Sequence, residues 1–315
     1  MKLAIKLEII IDNIYHIENI SLKKANVRFI KGLMIQNITD LELKSKEIAQ
    51  FKFPVIIKPA SDSVARNDVI IVETIEYLTE KVSRLFKNKS VFHGKPHDVL
   101  LIQEYIVGNE FFVNSASLDG KHYTAGVFKY LKEEKKFIGV FSLDEQDREI
   151  ADILVSYNSE CLNALRVSYG LTHNEYIVDK QGSPYLIEIN NRVAGIEIPK
   201  LSMTCYGSDE ISAFLDAIEG QVVHEFDFRH RHAYGAILYL SNFFNKTAIA
   251  LALSEVHSDN EVVTFRAGIV DPDLHPDDLF IKVSAALLMS NKNKTELHKD
   301  REHLLLKERA GTLFI

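Results

Sequence analysis

The stretch from Thr172 to Gly195, THNEYIVDKQGSPYLIEINNRVAG, constrains this chain more than any other. Tyr176 to Val178 and Pro184 to Ile189 are short apolar runs bracketing Lys180-Gln181-Gly182, a pattern that predicts a β-hairpin. Glu175 opens the first strand, and Glu188 and Asn190 close the second. Residues two apart on a strand share a face, so Glu188 and Asn190 project together and the hairpin brings Glu175 alongside them. Paired carboxylates with an amide oxygen are the donors that hard Mg²⁺ takes when nucleotide phosphates fill its other positions. An arbitrary Glu-x-Asn more often marks a solvated sheet face. Arg192 weighs against that reading, because it continues on the same face if the strand persists and sets a fixed cation beside the carboxylates.

Other segments supply a mixed frame. Phe53 to Lys58 and Val69 to Val72 read as buried strands, with polar Ser61 to Asp68 between them, and Thr74 to Asn88 has helical spacing. Val99 to Gln103 is an apolar strand. Glu110 to Leu118 and Lys121 to Tyr130 flank Asp119-Gly120, a strong hairpin turn. Ile150, Ile153, Leu154, Tyr157, Cys161, Leu162 and Leu165 recur at three and four residues, so Glu145 to Ser168 predicts an amphipathic helix with Cys161 in its core stripe. Further strands are expected near His232 to Leu240, Glu261 to Arg266 and Leu279 to Ser284, and a charged helix from Lys294 to Glu308. Helices mixed with antiparallel pairs make the class α+β, or mixed α/β.

Composition narrows the function classes. The chain has 315 residues, about two domains by the usual prior, and a net charge of −7 without a Lys/Arg block. Nucleic acid is therefore not an expected partner, since phosphate neutralisation needs clustered cations. The two cysteines, Cys161 and Cys205, lie far apart, which favours neither a disulfide framework nor zinc and fits a reducing cytoplasm. Lys2, Lys6, Glu8 and Asp12 break the apolar N-terminus, and no later window reads as a membrane span, so neither a signal peptide nor a membrane is expected. His173 and the other histidines lack a convincing catalytic pattern.

Glu-Ile-Asn-x-Arg, preceded by Glu175 thirteen residues upstream, resembles the magnesium signature of the ATP-grasp superfamily, in particular carboxylate-amine ligases of the L-amino-acid ligase type. FPVIIKPASDSVARNDVIIV looks like that family's strand with a phosphate lysine, Lys58, and its covering loop, here with Ser61 and Ser63. LLIQEYIVGNEFFV looks like its hinge, where backbone from Gln103 through Glu104 and Tyr105 to Ile106 would take adenine and Glu110 the ribose hydroxyls. The resemblance covers about Leu22 to Ile315 and implies an ATP-grasp fold of two lobes. It implies a remnant segment at 1–21, a small lobe at 22–103, a large lobe at 104–221 and a C-terminal portion at 222–315. ATP is implied, with one or two Mg²⁺ ions or Mn²⁺, held by Glu175, Glu188 and Asn190. The implied reaction joins a small carboxylate to an amine through an acylphosphate, with Lys58 and Arg192 as the catalytic cations. A homodimer or a partner protein is compatible with it.

Three features depart from the family pattern. Only about twenty residues precede Leu22, where the family has a Rossmann-like domain. Tyr15 to Glu18 has no lysine where a second phosphate lysine is expected, and Ser61 to Asp68 has no glycine and two aspartates, Asp62 and Asp68. These motivate the alternative of a degenerate nucleotide-binding protein, or one subunit of a two-protein ligase.

Overall fold

The computed structural model describes residues 20–60, 68–89, 94–133, 136–195, 197–240, 246–264 and 285–312. The chain forms two units, Met1–Ile106 and Val107–Ile315. Helices mixed with antiparallel sheets bear out the expected class.

In the first unit, β1 (Gly32–Ile35), β2 (Val55–Pro59), β3 (Ile70–Val72) and β4 (Leu100–Glu104) form an antiparallel sheet in the order β1-β4-β2-β3. Strand alternation sends Val55 and Ile57 to one face, where Ile35, Leu100 and Ile102 join them. The helices α1 (Ile38–Leu43), α2 (Ser45–Ile48) and α3 (Leu78–Lys87) close this core with Leu41, Ile48, Leu78, Val82 and Leu85. Each such side chain contributes about 1.5–3 kcal/mol on full burial. Asn37 starts α1 by accepting from the Asp40 N–H at 2.8 Å. The opposite sheet face carries Ile56, Lys58, Leu101 and Gln103, by the register Ile56↔Gln103 and Lys58↔Leu101.

The second unit is built on one antiparallel sheet with the order β11-β12-β10-β7-β6-β5-β8-β9. Its strands are β5 (Gly108–Leu118), β6 (Lys121–Glu133), β7 (Lys136–Ser142), β8 (Gly170–Asp179), β9 (Pro184–Asn190), β10 (Tyr234–Leu240), β11 (Asp259–Thr264) and β12 (Ala285–Asn291). Thus β10 to β12 extend the same sheet rather than forming a layer of their own. The strand expected at Leu279 to Ser284 lies outside the described residues, and β12 follows directly.

One face of this sheet is packed by α4 (Arg148–Ala164) and α8 (Lys294–Arg309). Asn158 of α4 anchors it: its Nδ2 donates to Ser115 Oγ at 2.9 Å, and its Oδ1 accepts from Asn174 Nδ2 at 2.6 Å and Tyr176 Oη at 2.7 Å. The other face is packed partly by α5 (Ile198–Tyr206) and α6 (Glu210–Glu219). Phe112 and Phe128 stack there at 5.3 Å between ring centroids, and Tyr206 of α5 closes on Phe128 at 5.5 Å. A short helix, α7 (Lys246–Leu253), joins β10 to β11. Among the described residues no helix is long and apolar enough to cross a membrane.

Candidate active site

The hairpin β8–β9 is the centre of the candidate site. Its turn spans Lys180 to Gly182, with Gly182 at φ +78° and its N–H donating to the Asp179 carbonyl at 3.0 Å. Only glycine adopts that left-handed geometry without a Cβ penalty. From the turn outward the pairs are Val178↔Pro184, Ile177↔Tyr185 and Tyr176↔Leu186, each summing to the same total. A flush continuation would set Ile187 opposite Glu175. Instead a bulge intervenes, and the next pairs are Glu175↔Glu188, Asn174↔Ile189 and His173↔Asn190.

That bulge decides which side the carboxylates occupy. Tyr176 and Leu186 point to the face covered by α4, where Tyr176 bonds Asn158 and the Leu186 N–H donates to Tyr157 Oη at 3.2 Å. One extra residue reverses the alternation, so Glu188 stands across from Glu175 on the opposite face. Flush pairing would have set Glu188 opposite Asn174, against the packed helix, where an ionised carboxylate is costly.

Around Glu175 the floor is aromatic. Phe112, its cross-strand partner on β5, lies 5.0 Å from the Tyr130 ring and 4.9 Å from His173. The Tyr130 hydroxyl donates to Glu175 Oε1 at 2.7 Å, and His173 Nε2 lies 3.3 Å from the same oxygen. His173 Nδ1 in turn meets Asn114 Oδ1 at 2.8 Å. The Glu175 side chain keeps 22% of its exposure. Burial pushes its pKa up, but hydrogen bonds from His173 and Tyr130 and the charges of His173 and Arg192 outweigh that and hold it below the usual glutamate value. The Tyr130 hydroxyl is driven well above its ordinary pKa, first by burial and then by the charge of Glu175, with Glu188 adding to it.

Asn190 Nδ2 donates to Glu188 Oε1 at 2.7 Å, which leaves the Asn190 carbonyl oxygen as its donor atom toward a cation. Arg192 is placed differently from the expectation of a continuing strand. Strand β9 ends at Asn190, the Arg192 N–H turns back to the Asn190 carbonyl at 2.9 Å, and the exposed guanidinium donates to the Val193 carbonyl at 3.1 Å. Its charge still acts on Glu175. The loop bearing it is fastened by Glu210 Oε1, which accepts from the Ala194 N–H at 2.8 Å.

Glu110 lies on the same face of β5 as Phe112, 8% exposed, and is ion-paired with Lys132, whose ammonium sits 4.7 Å over the Phe137 ring. In the first unit, Lys58 and Gln103 share the sheet face away from the helices and are 7% and 5% exposed. Gly32 permits this, because a Cβ there would come within 2.9 Å of the Gln103 side chain. The Glu104 N–H donates to the Lys31 carbonyl at 3.0 Å, and Tyr105 and Ile106, half-buried, end the unit. Ser61 and Ser63 lie outside the described residues. In the sequence Tyr130 marks only a strand end and His173 carries no catalytic pattern. Tyr130 reaches Glu175 across 45 residues of chain, and only strand register could have revealed it.

Comparison with known proteins places this arrangement, two antiparallel sheets with a pair of facing carboxylates on the larger, in the ATP-grasp fold. The ATP-grasp domain family matches residues 51–200. Dapdiamide A synthase of Enterobacter agglomerans is 28% identical over 204 residues, covering 61% of this chain and 47% of that protein, so the chain spans about half the length of this relative. The solved L-amino acid ligase of Bacillus licheniformis superposes with a TM-score of 0.68 at 17% identity, over 91% of this chain and 68% of that one. The biotin carboxylase domain of Hydrogenobacter thermophilus 2-oxoglutarate carboxylase, solved with MgADP, gives a TM-score of 0.61 at 15% identity over 90% of this chain and 63% of that one. The chain has the ATP-grasp fold, and the match to the ATP-grasp domain family lies within residues 51–200.

Proposed function

We propose that this protein is an ATP- and Mg²⁺-dependent ligase that joins a small carboxylate, amino-acid-like, to an amine. The observation that carries the reading is the Glu175↔Glu188 pair with Asn190 on one face of β8–β9, beside the charge of Arg192. The hydrogen bonds to Glu175 from Tyr130 and His173 both fall on Oε1, and Asn190 turns its amide nitrogen to Glu188 rather than its oxygen. Two carboxylate oxygens and an amide oxygen are a hard donor set that suits Mg²⁺. Bound with nucleotide, the ion would neutralise charge on the phosphate oxygens.

In this reading Lys58, with Ser61 and Ser63 of the covering loop, holds the phosphates. The backbone from Gln103 through Glu104 and Tyr105 to Ile106 holds the adenine edge, and Glu110, ion-paired with Lys132, accepts from the ribose. The substrate carboxylate oxygen attacks the γ-phosphorus and ADP leaves. The amine nitrogen then attacks the acyl carbon of the acylphosphate, inorganic phosphate leaves, and the amine proton passes to solvent. Arg192 faces negative charge in both steps, on the phosphoryl group and on the tetrahedral oxyanion. Its exposed position on a loop fits a guanidinium that closes on substrate rather than one locked into the sheet.

Calorimetric titration of Mg-ATP into the parent and into Glu188→Ala tests the site. A loss of at least tenfold in affinity is expected for the variant, and equal affinities would remove the assignment. ADP release is then followed with a panel of amino acids. Substrate-stimulated release supports the ligase, whereas nucleotide binding without any stimulated release supports the degenerate or two-protein alternative.

A further inference from the structure

We infer that Tyr130 and His173 are positioning residues for the Glu175 carboxylate, fixing Oε1 so that Oε2 is the oxygen left to a metal shared with Glu188. The inference rests on the Mg-nucleotide reading above and goes beyond it, because neither residue belongs to the Glu, Asn and Arg pattern of the hairpin.

Both contacts converge on one oxygen. Tyr130 Oη is 2.7 Å and His173 Nε2 3.3 Å from Glu175 Oε1, and the two groups are themselves 3.4 Å apart. The carboxylate is thereby held in one rotation about its last torsion, which is otherwise broad and two-fold. The holders are themselves packed and hydrogen-bonded. His173 is 2% exposed, packed against the Phe112 ring at 4.9 Å and hydrogen-bonded at Nδ1 by Asn114. Tyr130 is wedged between the Phe112 and Phe137 rings, with centroid distances of 5.0 Å and 4.7 Å.

Asn114 adds an independent sign. It is fully buried, and among the described residues its Nδ2 has no hydrogen-bond partner. An unmet buried amide donor costs about 1–3 kcal/mol. Its Oδ1 meets His173 Nδ1, so the polar group stands where it orients the imidazole. Buried polar chains of this kind, ending on a ligand oxygen, are how proteins set the direction of a metal-binding carboxylate.

The test uses the full chain as parent, Tyr130→Phe, His173→Leu, His173→Gln and, as a control at the metal itself, Glu188→Gln. Mn²⁺ binding in the presence of ADP is read by electron paramagnetic resonance, ADP binding in chelator by calorimetry, and metal-free melting by circular dichroism. Tyr130→Phe and His173→Leu are expected to weaken Mn²⁺ binding about tenfold to a hundredfold. Metal-free ADP affinity should stay within about twofold of the parent. His173→Gln, which keeps an N–H near the Nε2 position, should recover most of the loss. Unchanged Mn²⁺ affinity in Tyr130→Phe, or a glutamine no better than leucine at 173, would overturn the positioning role while leaving the metal site standing. Equal losses with and without metal would reduce both residues to fold support. A parent that binds no Mn²⁺ with ADP would remove the nucleotide reading and the inference together.

Discussion

At residue 210 a carboxylate is wholly buried, with Oε1 accepting from the Ala194 N–H and Oε2 unmatched among the described residues. Burial raises its pKa above the usual glutamate value. A raised folded value means the native state holds the proton more tightly than the unfolded chain, so the stability linked to it is present below about pH 4 and is lost as pH rises through the folded value. Glu210→Gln keeps an acceptor for Ala194 and removes the titration. Its melting temperature should therefore fall less than that of the parent between pH 4 and pH 8, and parallel pH profiles would contradict the assignment. Cys205 makes a second prediction at this scale. Burial pushes its thiol up to about 12, and Cys161 is buried in α4, so neither should react with a thiol reagent at pH 8 until the protein unfolds. The recurrence of apolar residues at three and four places Cys161 in the core stripe of a helix from the sequence alone, as the structure shows. It was silent on Tyr130 and Glu210, because their partners are set by packing between distant elements.

Elements were legible where their period was strong. The expected helix from Glu145 to Ser168 is α4 with a short 3-10 turn before it, and the Asp119-Gly120 hairpin forms with both residues at positive φ. Strand β7 went unread, since its KFIGVFS follows β6 closely and has no marked turn residue. It is nonetheless the strand that joins β5, β6, β8 and β9 to β10, and Gly139 sits at that junction. A Cβ at Gly139 would run into the Ile237 carbonyl of β10. Gly139→Ala should destabilise the second unit by about 2 kcal/mol or more, because backbone on the facing strand has nowhere to yield. Denaturant melts followed by circular dichroism check it.

For the whole molecule, each unit has its own core: Val55, Ile57, Val82 and Leu85 belong to the first, and Phe128, Leu201, Ile237 and Leu288 to the second. Ile57→Ala removes a fully buried side chain and should cost about 2–5 kcal/mol. By hydrogen exchange, protection should drop at Ile102 and Val72 in the first sheet and stay unchanged at Ile237 and Leu287 in the second. A uniform loss across both would show one cooperative unit instead. The hydrophobic periods in the sequence announced α+β character throughout. They did not tell that β10 to β12 would prolong the sheet that carries Glu175, because strand order depends on pairings between segments far apart in the chain.

The thirteen-residue interval from Glu175 to Glu188 is an odd number, and direct partners in this flush hairpin are always an even number apart. Length in this segment thus sets which way Glu188 faces: any chain that gains or loses one residue between Tyr176 and Glu188 must create or abandon an irregularity at Ile187, or else turn its acidic residue from water to grease.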